Sequence, residues 1–576
     1  MNKIIASMIV IGLLLTTFIA SVDVSKSAPV APFANIYVDD DNTQGPWDGT
    51  IEHPYRTIID GINSASEGDI VFVFNGIYNE SIDVTKSVKL LGEDKYNTII
   101  DSLWSSVEVN EINGFEIRNF MLRHIQPMYL YDCSHCVISG NVILEASSGM
   151  YASICLTNCS NCTVSDNNIQ VHSHSIGVIL SFSKNNEIKD NYLYGSNEVS
   201  KGIDIYWDST DSIVANNTIS NFTVGIDVFS NRTCITDNNL INNTYSGISL
   251  FTSSNSTISG NKITNSFFYG IDVSNSDNVL ISDNIVANNS VYGINSNYGK
   301  NVSVFHNTVD NNPCGIEFNY LENSFCANNT ITNSSENGIN IMAYASNNLI
   351  SYNNVNNCSF GIVLNQSSKN TYKNNIVNYN EFGVFLYGVQ CFNVITKNEI
   401  RNNGIGVELY GFSQGKTYAP FENWVVGNNI SENTICGIYA TIFTKSNYVY
   451  YNNFIDNDQN AFDKGNNIWY KLKIVGKSMG NYWDDYTGSD HNGDGIGDTP
   501  YDIPPLPFRN KDRYPCMEPI DIENTASSYS ELIQSNSQSR PQINPQSNPS
   551  PNQQNDQPGS QPDSSPQSII SQTTNR

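Results

Sequence analysis

Along most of this chain, apolar residues alternate with polar ones in short runs, each broken by Asn, Ser or Gly. Alternation with period two predicts strands, and the runs are too short for helices. The pattern itself repeats. A glycine followed by Ile or Val returns every 22 or 23 residues, at Gly202, Gly225, Gly247, Gly270, Gly293, Gly315, Gly338, Gly361, Gly383 and Gly406. A second marker, Asn-x-(Ile/Leu/Val), keeps step with it at Ile219, Leu240, Ile263, Val286, Val309, Ile331, Val355, Ile376 and Ile400. Two markers sharing one period describe one supersecondary unit stacked many times. Three short strands and three turns fill such a unit. The expected fold is therefore an all-β, right-handed parallel β-helix of about fourteen coils, with its asparagines bonded as amide ladders along the axis.

Breaks in the pattern set the boundaries. Lys3 and the apolar run Ile4 to Ala20 read as a secretory leader within residues 1–34. Residues 35–100 read as an N-terminal cap and first coils, in which Pro54, Ile58, Ile59, Ile62 and Ala65 predict a short amphipathic helix over the open end. The repeats fill 101–460, and a C-terminal cap fills 461–522. Gly406 and Gly437 stand 31 residues apart, so about eight residues are inserted near Gly411–Asn423, a loop on one side of the solenoid. From 523 to 576 the chain is Pro, Gln, Ser and Asn, too poor in apolar surface to offset chain entropy, and disorder is expected.

Charge narrows the partners. The net charge of −27 repels phosphate backbones, which argues against nucleic acid and suits cations or neutral sugars. No apolar run beyond the leader reaches a membrane-spanning length. A secreted or cell-surface monomer is expected. Sequons such as Asn221, Asn231, Asn255, Asn301 and Asn333 would suit an exported glycoprotein.

Stacking turns the repeat into a surface. The position two after each repeat glycine points outward and reads Asp204, Asp227, Ser249, Asp272, Asn295, Glu317 and Asn340 up the axis. Two further along come Tyr206, Phe229 and Phe251, with Trp207 beside the first. Carboxylates that bind hydroxyls, interleaved with rings that cover pyranose faces, make a carbohydrate-binding groove. Coils ~4.8 Å apart put Asp204 and Asp227 one rung apart and Asp227 and Asp272 two, spacings that both glycosidase geometries use. Asp204, Asp227 and Asp272 are thus also catalytic candidates, against the plain alternative of a solvated polar ladder. The column itself carries no Lys or Arg for a lyase base.

Two other clusters carry metal-type chemistry. Asp490, Asn492, Asp494 and Asp498, with the Ile496 carbonyl and Gly495 at the turn, have calcium-loop spacing, although Tyr501 stands where an EF-hand has Glu. Cys133 and Cys159 are 26 residues apart, as are Cys136 and Cys162, so the two pairs should stack on adjacent coils. Inter-coil disulfides, an unbridged stack, or a soft site for Cu(I) or Zn with His172 and His174 all remain open.

Several segments together resemble a known group. Ile36-Tyr-Val-Asp-Asp-Asp41, Gly68-Asp-Ile-Val-Phe-Val73 and the Gly/Asn repeats resemble pectate-lyase-like β-helix proteins of archaeal cell surfaces. Gly480-Asn-Tyr-Trp-Asp-Asp-Tyr486 and Asp494-Gly-Ile-Gly-Asp-Thr-Pro-Tyr501-Asp-Ile-Pro504 resemble the closing signature of NosD-like β-helices. The NosD resemblance implies copper delivery to nitrous oxide reductase. The wider superfamily implies polysaccharide binding or cleavage. Three functions follow as expectations: an exported polysaccharide-binding and cleaving protein, a copper-handling protein, or a purely structural surface protein.

Overall fold

The computed structural model describes residues 35–102, 107–123, 128–144, 152–172, 175–196, 200–414, 416–471, 478–505 and 510–522. The expected leader and tail, and His174, lie outside them. Each coil carries three strands, one for each of three parallel sheets. One coil, for example, contributes Ile213–Ala215 to the first, Thr218–Ser220 to the second and Val224–Val228 to the third. The first sheet runs to 19 strands. The solenoid makes about 16 turns rather than fourteen. The extra turns lack the glycine marker: Asn35–Val38 already pairs with Ile70–Val73, and Tyr482–Trp483 still pairs with Asn453 and Phe454. No helix among the described residues is long and apolar enough to cross a membrane.

The interior follows from the register. Ile203, Ile226, Ile248, Ile271 and Ile294 sit above one another, each fully buried, so the core is a stack of aliphatic side chains. The Ile376 marker is one residue out of step. Register places Val377 opposite Val355 and Ile400, fully buried, and leaves Ile376 38% exposed. The repeat glycine is needed for closeness. A Cβ on Gly270 would lie 2.4 Å from Val286 Cγ1 and 2.6 Å from the Gly293 carbonyl of the next coil.

Polar ladders line the turns. At the corner between the first and second sheets an unbroken asparagine ladder runs from Asn141 to Asn481. Asn284 shows its unit. Its backbone N–H and Nδ2 donate to Asn307 Oδ1 at 3.0 and 2.9 Å, its Nδ2 also donates to the Ile258 carbonyl at 3.0 Å, and its own Oδ1 accepts the same pair from Asn261. The residue before each ladder Asn from Asn141 to Asn452 has positive φ, as at Asn216, Asp237 and Asp283. That is why the turns are rich in Asn and Asp.

The ends and the insertion are built differently. Helix α1, Ile58–Ser64, covers the N-terminal end with Ile58 and Ile62 buried. It starts at the Thr57 cap rather than at Pro54, and its first two N–H groups donate to Glu80 at 2.8 and 3.1 Å. At the other end Asp512, fully buried, accepts from the N–H of Asn481 at 2.6 Å and from Trp483 Nε1 at 3.0 Å. The inserted residues form an antiparallel hairpin, Phe412–Gln414 with Lys416–Tyr418, at the third sheet's end.

Asn284→Ala should lower stability by about 1–3 kcal/mol, because it leaves the Asn261 N–H buried without a partner and removes one donor from the Ile258 carbonyl. Lys262→Ala, on the exposed face of a neighbouring coil, should change it by less than about 0.5 kcal/mol. Thermal or urea melts of the two variants check the difference.

Candidate functional site

The outer face of the third sheet carries the predicted column in the predicted order. Asp204 lies opposite Asp227, then Ser249, Asp272, Asn295, Glu317 and Asn340 follow rung by rung. It is not a solvated ladder. Asp204, Asp227 and Glu317 are only 5%, 7% and 6% exposed. Aromatic side chains flank the column, on one side along Asp204 to Ser249 and on the other along Ser249 to Asn295, and make it the floor of a trough. On one side the rings of Tyr206, Phe229 and Phe251 follow at 5.6 and 5.3 Å, and Trp207 stands edge-on to Tyr206 and stacks on Phe182. On the other, Tyr269 stacks on Tyr292 at 5.3 Å, with Tyr245, Phe267 and Phe268 beside them.

The second wall was hidden from simple alternation. Strand pairing jumps from Lys201 opposite Val224 to Ile203 opposite Ile226. The chain bends at the glycine, and Lys201 reaches the outer carboxylates. Its Nζ lies 2.9 Å from Asp204 and 2.7 Å from Asp227. So a cation does serve the floor, from the neighbouring column. Tyr269 and Tyr292 occupy the register position of Lys201.

Burial dominates the electrostatics. It raises the Asp204 carboxyl against the opposing pull of Lys201. It pushes Asp272 up to about 6, offset in part by Asn295 Nδ2, which donates to it at 2.7 Å. Glu317 is pushed to about 7, with Asn340 Nδ2 donating at 3.0 Å, and Glu408 to about 7. A trough with two acids clamped on an ammonium, and others that hold protons near neutrality, can both accept from hydroxyls and donate to them.

The model of the right-handed β-helix region matches residues 103–254, 205–324 and 314–419. The chain belongs to this right-handed β-helix family. A second model, of the periplasmic copper-binding protein NosD, matches residues 392–488, so this β-helix is NosD-like at its C-terminal end. No curated protein sequence matches the chain. Among solved structures, a variant of the periplasmic alginate epimerase AlgG is similar at 14% identity and a TM-score of 0.39, over 56% of this chain and 84% of that one. The A-module of the Azotobacter vinelandii mannuronan C-5 epimerase AlgE4 is similar at 13% and 0.28, over 76% and 98%. The Dettilon tailspike protein is similar at 14% and 0.37, over 70% and 68%. Likenesses this slight bear no weight on activity.

The other predicted residues of the β-helix lie apart from the trough. In the loop at 490–498 the side-chain oxygens turn onto the loop's own backbone. Asp490 accepts from the N–H groups of Gly493 and Gly495, both at 2.8 Å, Asn492 from Asp494, and Asp494 from Ile496. Asp498 binds His491, while Asp485 takes the Tyr501 hydroxyl and Asp502 pairs with Lys511. Cys133, Cys136, Cys159 and Cys162 are buried free thiols on adjacent coils and neighbours of one another. Each donates to a backbone carbonyl, as Cys159 does to Leu130 at 3.3 Å and as Ser183 does to Leu156 in the next coil. His172 is exposed at a different turn. Among the described residues, no group of three His, Cys, Asp or Glu is arranged to hold a metal ion.

Buried acids with raised values bind protons in the folded chain that the unfolded chain has already released. Between their ordinary range near 4 and the folded values of about 6 for Asp272 and Asp512 and about 7 for Glu317 and Glu408, stability falls as pH rises. The melting temperature should therefore be higher at pH 5 than at pH 8. Combining Asp272→Asn with Glu317→Gln should flatten that slope, and a slope unchanged in the double variant would mean that neither acid contributes to it.

Proposed function

We propose that this β-helix is an exported surface protein that binds polysaccharide along the trough of its third sheet. One observation carries the reading: a floor of nearly buried carboxyls runs over several coils, flanked by aromatic rings first on one side and then on the other. Rings such as Trp207, 54% exposed, and Phe251, 40% exposed, offer faces for the apolar sides of pyranoses. Carboxyl and amide groups below them bind hydroxyls. The strand rungs repeat along the trough, so an extended chain lying parallel to the axis meets an acid, an amide or a hydroxyl on the floor at each step. Asp272, with Asp204 and Asp227, is the group we assign to cleavage.

A polysaccharide panel tests this through retention and reducing-end release. Trp207→Ala combined with Asp227→Ala should weaken retention at least about tenfold, and unchanged retention would end the reading. Release abolished by Asp272→Asn would make the protein a hydrolase. Retention without release would make it a binding module.

We also propose that the 490–498 loop takes calcium through Asp490, Asn492, Asp494, Asp498 and the Ile496 carbonyl. This rests on the spacing and on the sharp turn at Gly495, which has positive φ. Chelation should lower the melting temperature by several degrees, and no shift would remove calcium from the picture. Copper handling is the second reading, favoured by the NosD match and by the four adjoining thiols. The matched segment contains no histidine, and its soft donors are Cys436 and Met479. Copper that copurifies and is lost in Cys159→Ser with Cys162→Ser is the outcome this reading requires.

A further inference from the structure

We infer that the strip of the trough from Asp272 to Glu317 is a subsite for a protonated amine, so that among glycans it favours those with free amino sugars. This rests on the trough being a glycan site.

The molecule carries its own template. Where two carboxylates stack on adjacent rungs, at Asp204 and Asp227, the Lys201 ammonium sits between them at 2.9 and 2.7 Å. Farther along, the register position of Lys201 is taken by Tyr269, Tyr292 and Cys314, none of them a cation. The acids continue nevertheless. Asp272 and Glu317 face the trough, and among the described residues neither has an ion pair; Asp272 is met by the Asn295 amide and the Ser274 hydroxyl, and Glu317 by the Asn340 amide.

A second observation points the same way. Asn340 is 7% exposed, and its Oδ1 has no hydrogen-bond partner. The Oδ1 atoms of Asn297 and Asn319, on the same face, are also buried and unpartnered. Buried acceptors without donors are costly, and here they collect beside an unpaired carboxyl. A hydroxyl brings one proton to such a strip. An ammonium brings three and a charge. The flanking rings add to this, because the stacked pair Tyr298 and Tyr320, 4.5 Å apart, presents aromatic faces at the rim. Burial that holds Asp272 and Glu317 above the usual carboxylate range is the condition an incoming cation reverses. The net charge of −27 concentrates cations at the surface generally, so the test must separate the strip from that background.

Isothermal titration of the full chain at pH 6.5 in 0.15 M salt, with a fully deacetylated glucosamine oligomer, its N-acetylated counterpart and a glucose oligomer, makes the separation. The deacetylated oligomer should bind at least about tenfold tighter than the acetylated one. Glu317→Gln and Asp272→Asn, both close in shape to the native residues, should each erase that preference. Glu432→Gln, at an exposed acid on another turn, should leave it intact. Equal affinity for the two amino-sugar oligomers would overturn the inference and leave the glycan reading standing. Binding of none of the three would overturn both. A preference that survives Glu317→Gln and Asp272→Asn would place the amine elsewhere and overturn the assignment to this strip.

Discussion

Axial register is the constraint from which the rest of this structure follows. Each coil satisfies its backbone and its turn amides only through the coils above and below, so a residue's height along the axis is fixed even where the chain length is not. Asn398 and Asn428 are 30 residues apart and still bond at 2.9 Å, while Asn261 and Asn284, 23 apart, bond at 3.0 Å. Extra residues must therefore leave the coil at a turn, which is where the hairpin Phe412–Tyr418 projects. Side chains are free to vary only outward, and whatever stands at one outward position stands directly beneath its counterpart in the next coil.

That constraint decides the electrostatics of the trough. A column in register brings like charges within a rung of each other, which in a half-dry groove is unfavourable for both. In the trough two carboxylates adjoin once, at Asp204 and Asp227, and there Lys201 lies between them. Elsewhere Ser249, Asn295 and Asn340 separate the acids, and two of these amides donate to the carboxyl below. The alternation of Asp or Glu with Ser or Asn is thus a spacing rule for charge. It leaves acids that are protonable rather than paired, and amide oxygens that lack donors.

Much of this was legible in the residues themselves. The Gly and Asn markers share one period because both sit where neighbouring coils touch, Gly270 against Val286 and Asn284 against Asn307, so the fold, the ladders and the acid column could be read directly. What escaped was set by bends and by depth. Alternation continued through the glycine hides Lys201, Tyr269 and Tyr292, because the bend there turns the preceding residue outward. Burial of the column depends on rings that come from other positions of the repeat, such as Tyr245 and Phe268. The paired spacing of Cys133, Cys136, Cys159 and Cys162 shows what a rung repeat produces unaided: Cys133 and Cys159 hold backbone carbonyls as Ser183 does one coil later, and the column of Cys136 and Cys162 continues as Asn186.

The C-terminal signature has a reason in the same ladders. In each buried corner ladder the donors point toward the C-terminal end, because its asparagines offer N–H and Nδ2 to the Oδ1 of the following coil. At the first coil a backbone N–H, that of Phe120, suffices to fill the open Oδ1 of Asn141. At the last coil the reverse is needed: an acceptor able to take several donors at once with no hydrogen of its own to place. A carboxylate is the side chain that meets this requirement. All three corners use one. Asn481 ends on Asp512, Asn467 on Asp463 at 3.0 Å, and Asn460, which continues the line of Asn433 and Asn457, on Asp484 and Asp485 at 2.8 and 2.9 Å. The Trp-Asp-Asp of the signature thus belongs to the termination of the solenoid, with Trp483 stacked on Phe454 at 4.3 Å and donating to Asp512. A segment specified by ladder polarity answers a need of the solenoid's end that does not depend on what the trough binds. The NosD match at 392–488 thus takes in the closure of this β-helix.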